Sequence, residues 1–111
     1  MKKKAFIRLN LDNKLEELEK EVILNNNLIT YFDNDIKMII NLKNGEIIRE
    51  NNEYLSLIKP IDNSIIITLK DSQFKVNKEI KIIDQKIVNN YFYLKYLLVD
   101  ENIINEYEIK L

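Results

Sequence analysis

The sequence predicts an all-β protein, an up-and-down antiparallel β-barrel of about eight to ten short strands. Turn-forming residues recur at intervals of about 8–12 residues, and the segments between them alternate apolar and polar side chains with a period of two. Closing such a meander into a barrel removes its exposed edges, although a two-sheet sandwich fits the same pattern. The 111 residues suffice for one hydrophobic core, so residues 1–111 are interpreted as a single domain.

Asparagine and aspartate form most of the predicted turns, because the chain has only one glycine and one proline. Asparagine adopts the left-handed backbone conformation more readily than most residues that carry a Cβ atom. Asn44-Gly45 is the strongest local signal, and it predicts a type I′ turn that joins a strand at 36–43 to one at 46–50. The other predicted turns lie at residues 12–13, 25–27, 33–35, 51–52, 62–63, 71–72, 89–90 and 100–102.

Several predicted strands place a row of apolar side chains on one face, as a half-buried strand does. In chain order the rows are Ile7, Leu9 and Leu11; Ile36, Met38, Ile40 and Leu42; Ile65, Ile67 and Leu69; Phe92, Leu94, Tyr96 and Leu98; and Tyr107, Ile109 and Leu111.

Two segments fit more than one structure. Residues 15–23 fit a helix through Leu15, Leu18 and Val22, or a strand that places Leu18 and Val22 on one face. The strand is favoured, because a lone helix beside a meander needs its own docking surface. Residues 73–90 alternate like a strand except at Lys78.

The missing residue types exclude several kinds of active site. The chain has no histidine and no cysteine, which rules out Ser-His-Asp and Cys-His catalysis and the usual zinc sites. Its single glycine cannot form a glycine-rich phosphate loop. No metal, cofactor or enzymatic activity is therefore predicted, although acid–base chemistry by two carboxylates stays formally open among the 18 acidic residues.

Charge and hydropathy predict a cytoplasmic protein that binds neither nucleic acid nor membrane. The formal net charge is −1, and only two of the 17 basic residues are arginine. The lysines at positions 2–4 precede a stretch interrupted by Arg8 and Asn10, so no signal peptide is predicted. No apolar run reaches the roughly 18 residues of a membrane-spanning helix.

Four residues are candidates for ligand binding: Arg8, Arg49, Tyr31 and Tyr96. An arginine that points into a barrel would bind an anionic group through its fixed fork of donors, whereas an exposed arginine would pair with a nearby glutamate. Tyr96 belongs to a tyrosine-rich strand with Tyr91 and Tyr93, which fits cross-strand packing as well as it fits a stacking surface.

Three segments resemble the YwiB-like proteins of bacteria, a family of small calycin-like β-barrels of unassigned function. Residues 36–58 are similar to the central hairpin of the family, residues 93–111 to its closing hairpin, and residues 28–35 to the preceding strand. The chain departs from the family at Asn51-Asn52 and Asp71-Ser72, where the family usually has glycine. The resemblance implies a lipocalin-like barrel of at least eight antiparallel strands and implies no catalytic residues.

Three functions are compatible with these observations. The first is a non-enzymatic binding protein that holds a small, partly apolar or anionic molecule in the barrel. The alternative is a protein-interaction module, for example a homodimer, that uses an outer sheet face containing Ile39, Ile48 and Ile66. The third is an enzyme that uses two carboxylates, which requires two acidic residues close together in a pocket.

Overall fold

The computed structural model describes residues 1–111, and it confirms the predicted closed antiparallel β-barrel. Ten strands follow one another around the barrel, and the last pairs with the first. The strands are β1 (Lys2–Leu11), β2 (Lys14–Asn25), β3 (Leu28–Asp33), β4 (Ile36–Asn41), β5 (Ile47–Glu50), β6 (Tyr54–Lys59), β7 (Ser64–Leu69), β8 (Lys75–Val88), β9 (Tyr91–Leu98) and β10 (Ile103–Lys110). A single 3₁₀ turn, Pro60–Asp62, joins β6 to β7. This turn has three residues, and the structure contains no helix with the length and apolar character of a membrane span.

Asparagine takes the place of glycine in the turns, as predicted. Asp12 and Asn13 both have positive φ, at 54° and 63°, and join Leu11 to its partner Lys14. Such a two-residue connection needs left-handed backbone at both positions. A single left-handed asparagine lies in five further connections, at positions 26, 34, 63, 90 and 102.

The prediction of a type I′ turn at Asn44-Gly45 was wrong, although the hairpin itself forms. β4 ends at Asn41 and β5 begins at Ile47, so five residues connect them, and only Gly45 among these has positive φ, at 79°. The Asn44 side chain accepts a hydrogen bond from the Glu46 N–H group and stabilises this longer loop. Gly45 is buried against the side chains of Gln85 and Ile87, so the loop helps to close one end of the barrel.

Both ambiguous segments are strands. Residues 15–23 lie within β2, whose Leu18 and Val22 side chains face the interior. Most of the second segment forms β8, a 14-residue strand with an irregularity between Ile82 and Asp84. Phe74 lies outside β8 and is exposed, contrary to the alternation read from the sequence.

The core fills the barrel except at one end. Seventeen buried apolar residues form one cluster, and the five apolar rows read from the sequence all contribute side chains to it. The unfilled end is open, and it is surrounded by the turns that follow β1, β3, β5, β7 and β9.

The barrel wall has a gap beside this open end. β2 and β3 form only three residue pairs, from Ile23–Thr30 to Asn25–Leu28. The part of β2 before Ile23 therefore has a partner only in β1, and it diverges from β3. The gap gives solvent a second route to the interior.

Candidate functional site

Two adjoining cavities occupy the open part of the barrel. The end cavity, of about 490 Å³, is lined mainly by apolar residues such as Ile58, Ile65, Ile67 and Leu98. The side cavity, of about 400 Å³, lies at the gap between β2 and β3. Both volumes fall within the range of about 300–1,000 Å³ that is usual for small-molecule sites.

Arg49 lies where the two cavities meet, because it lines both of them. Its side chain points inward, since Ile47, two residues earlier on β5, is fully buried and successive strand residues alternate between faces. None of the seven ion pairs in the structure involves Arg49. No side-chain hydrogen bond involves it either, so its donors are available to a ligand.

Arg8, the other predicted arginine, lies on the outside of the barrel. Its neighbours in sequence, Ile7 and Leu9, point inward. The Arg8 Nη1 atom lies 2.8 Å from Glu106 Oε1, and its Nε atom lies 3.7 Å from Glu17 Oε1. Arg8 is therefore a paired surface residue and does not contribute to a site inside the barrel.

Tyr31 brings an unpartnered hydroxyl group to the side cavity. Its side chain is only 2% exposed, and its hydroxyl oxygen is the only buried side-chain polar atom of the chain without a hydrogen-bond partner. Burial raises the pKa of the phenol well above its usual value, the negative charges of Asp33 and Glu16 raise it further, and the positive charge of Arg49 opposes them. A buried hydroxyl without a partner costs stability, so a ligand that bonds to it would remove this cost.

Tyr96 contributes a second hydroxyl group, held by Asn105. The Asn105 Nδ2 group donates to the Tyr96 hydroxyl oxygen at 3.3 Å, and Asn105 Oδ1 accepts from the Asp12 N–H group at 3.0 Å. The Tyr96 ring stacks on Tyr107, with centroids 6.3 Å apart. Because Asn105 donates to its oxygen, Tyr96 keeps its own hydroxyl proton for another acceptor.

Glu16 and Asp33 form a pair of carboxyl groups in the side cavity. A hydrogen bond to Asp33 raises the pKa of Glu16 above its usual value, and desolvation and the Asp33 charge add to this shift. The positive charges of Arg49 and Lys20 act in the opposite direction. Neither carboxyl group has a cationic side chain within 4 Å.

Of the four residues predicted from the sequence, Arg49, Tyr31 and Tyr96 lie along the two cavities. Glu16 was not predicted, because residues 15–23 fitted both a helix and a strand and the direction of its side chain was therefore undefined. Asn105 was recognisable in principle, because it shares the inward face of β10 with Tyr107 and Ile109.

The predicted tyrosine cluster of β9 divides between the two faces. Tyr91 and Tyr93 point outward, and their hydroxyl groups donate to Glu108 and Glu106. The hydrogen bond to Glu108 is the main cause that raises the pKa of Tyr91 to about 12. Only Tyr96 reaches the interior, so the three rings do not form a common stacking surface.

Comparison with known proteins gives no match. No protein-family model matches the chain, and no curated protein and no solved structure matches it either. The resemblance to the YwiB-like proteins therefore stays a prediction, and the function has to be argued from the geometry of the site.

Proposed function

We propose that this protein is a non-enzymatic binding module that holds a small, partly apolar anion in the open end of its barrel. The observation that carries the proposal is Arg49, a cation that points inward between two cavities and has no partner in the chain. A half-buried guanidinium group without a partner is stabilised by an anion, because hydrogen bonds between charged groups are stronger than neutral ones.

The rest of the site suits a ligand of mixed polarity. The hydroxyl groups of Tyr31 and Tyr96 add two donors on the inner wall near Arg49. Ile58, Ile65 and Ile67 provide an apolar surface for the body of the molecule. Polar groups among a majority of apolar lining residues are the usual composition of a small-molecule site.

The carboxyl pair does not favour an enzyme over a binding protein. Two catalytic carboxyl groups that cleave a glycosidic bond stand about 5 Å or more apart, on opposite sides of that bond. Glu16 and Asp33 instead belong to neighbouring strands, β2 and β3, and line one inner surface of the side cavity. We therefore assign them to binding.

The same proposal includes a relationship to the YwiB-like, calycin-like proteins and a cytoplasmic location. The family and the calycin-like relationship are supported by the closed antiparallel barrel and by the motifs of residues 28–58 and 93–111, and the cytoplasmic location is supported by the lack of cysteine in the sequence.

Binding is tested with hydrocinnamate, a small aromatic carboxylate, and with its alcohol, hydrocinnamyl alcohol, by isothermal titration calorimetry. We expect hydrocinnamate to bind at least about tenfold more tightly, because a charge-assisted contact contributes roughly 1.5–3 kcal/mol. Native mass spectrometry of the protein from its own host should also show a bound mass that is lost on denaturation. Equal affinity for acid and alcohol would contradict the anion site.

A second candidate function is self-association through an outer face, which one further observation favours. Ile39, Ile48, Leu57 and Ile66 are direct neighbours across β4, β5, β6 and β7, and each is half-buried. They form one continuous apolar row on the outside of the barrel. Beside the row, Glu50 pairs with Lys70 at 2.7 Å, so little uncompensated charge would repel a second copy that presents the same surface.

Sedimentation velocity over a range of protein concentrations tests this candidate. We expect a concentration-dependent dimer for the natural sequence and a monomer for Ile48→Lys, because a charge in the centre of an apolar interface is desolvated without a partner. The control is Asn10→Lys, on the outward face of β1 at the other side of the barrel, and it tests whether an added charge alone prevents dimer formation. A natural protein that stays monomeric at millimolar concentration would refute self-association.

A further inference from the structure

We propose that the ligand is a zwitterion: an apolar molecule that carries a carboxylate and a primary ammonium group close together, as apolar amino acids do. This inference rests on the proposed function, because the carboxylate is the anion that Arg49 binds. The new element is an ammonium site formed in the side cavity by Glu16, Asp33 and the Tyr31 hydroxyl group.

The strands place these three groups on one inner surface. Tyr31 and Asp33 are two residues apart on β3 and therefore point to the same side. Glu16 pairs with Leu9, whose buried side chain points inward, so Glu16 shares that direction. The gap between β2 and β3 keeps both carboxylates accessible to solvent and to a ligand.

No cationic side chain lies within 4 Å of either carboxylate, although Lys14 and Arg49 line the same cavity, and a primary ammonium group can take this position. An ammonium group has three donors and no acceptor. It can donate to Glu16, to Asp33 and to the orphaned oxygen of Tyr31, which is otherwise buried without any bond. The unpartnered Tyr31 hydroxyl group also indicates a missing ligand group, and this observation does not depend on the two carboxylates.

The separation of charges selects a zwitterion over a simple ion. Arg49 lines the side cavity with Glu16 and Asp33, yet more than 4 Å separates its nitrogens from their carboxylate oxygens. A simple anion at Arg49 is repelled by the acidic pair, and a simple amine at the pair is repelled by Arg49. A molecule with both charges meets an attractive partner at each end and avoids both repulsions.

The apolar part of the ligand has its own place. The end cavity continues from Arg49 between Ile65, Ile67 and Leu98. A ligand that is held by both its charges at the junction can extend an aliphatic or aromatic side chain into this cavity. The class of ligand is therefore an apolar amino acid rather than a polar one.

Three probes with the same aromatic body separate the contributions: free phenylalanine, hydrocinnamate without the amino group, and phenethylamine without the carboxylate. Their dissociation constants are measured at pH 7 by isothermal titration calorimetry. We expect phenylalanine to bind at least about tenfold more tightly than hydrocinnamate, and phenethylamine to bind most weakly. Serine, which has both charges without the apolar body, should bind more weakly than phenylalanine.

The double variant Glu16→Gln/Asp33→Asn gives the readout that assigns the ammonium site. We expect phenylalanine and hydrocinnamate to bind this variant with similar dissociation constants. Hydrocinnamate should bind at least as tightly as it binds the natural protein, because the acidic pair no longer repels its carboxylate. Glu17→Gln, on the outward face next to Glu16, is the matched control and should change neither dissociation constant. Circular dichroism and the melting temperature check that each variant is folded.

The outcomes separate this inference from the proposed function. If hydrocinnamate binds and phenylalanine binds no more tightly, the ammonium site is refuted and the anion site remains. If the double variant keeps the preference for phenylalanine, the ammonium group binds elsewhere and the assignment to Glu16 and Asp33 is wrong. If neither compound binds at millimolar concentration, both the inference and the proposed function fail for this class of molecule.

Discussion

Replacing Arg49 by methionine is expected to weaken the binding of hydrocinnamate by about 10–100-fold. The expected loss corresponds to one charge-assisted contact of roughly 1.5–3 kcal/mol. Methionine keeps most of the apolar volume of the side chain and removes only the charged fork of donors. The free energy of unfolding should stay the same or rise, because Arg49 is a half-buried cation that makes no ion pair in the chain. Calorimetric titration and urea denaturation measure the two effects.

Arg8→Met is the matched control, since Arg8 is the only other arginine. Its guanidinium group pairs with Glu106 and Glu17 on the outer surface. We expect a loss of stability of at most about 1 kcal/mol, as for surface ion pairs, and unchanged binding. Arg49→Met should thus lose binding and keep its stability, whereas Arg8→Met should keep binding and lose a little stability. Normal binding by Arg49→Met, or lost binding by Arg8→Met, would place the anion outside the barrel.

Replacing Phe92 by alanine is expected to lower the free energy of unfolding by about 3–5 kcal/mol. The Phe92 side chain is 1% exposed and lies between its cross-strand partners Ile87 and Ile109 in the filled part of the barrel. Removing the ring leaves a cavity that rigid neighbouring strands cannot close. Because small domains are stable by only about 5–15 kcal/mol, this variant should unfold at much lower urea concentration.

Phe74→Ala separates the effect of burial from that of losing an aromatic ring. Phe74 lies in the turn before β8 and is 60% exposed. Its replacement should change the free energy of unfolding by less than about 0.5 kcal/mol. If both variants lost a similar amount of unfolding free energy, the interior around Phe92 would not be tightly packed. Hydrocinnamate binding to folded Phe92→Ala should persist, since Phe92 lines neither cavity.

The correct and incorrect sequence predictions have a common physical basis. Alternation is a local property, so the inward rows through Ile40, Leu94 and Ile109 were predicted correctly. The turn at Asn44-Gly45 was predicted wrongly, because the local preference for a two-residue turn is only one of the contributions to the loop. The longer loop that forms has a local hydrogen bond to the Asn44 side chain, and its Gly45 packs against Gln85 and Ile87, which are distant in the sequence.

The side-chain directions of the two arginines show the same division. Both arginines are polar residues beside an apolar row, so the local pattern is the same for an inward and an outward side chain. For Arg49 the deciding observation is the burial of Ile47, which depends on every strand that surrounds the interior. For Arg8 it is the pairing of β1 with β2 and β10, which brings Glu17 and Glu106 beside it.

The sequence by itself determined the fold class, the buried rows and the exclusion of histidine and cysteine chemistry, because alternation and composition are properties of the chain alone. Only the tertiary structure decided that ten strands close the barrel, that its open end contains two cavities, and that Arg49, Tyr31, Glu16 and Asp33 meet there. These residues come from three strands separated by up to 33 positions, and their proximity follows from strand pairing around the barrel, which no local pattern records.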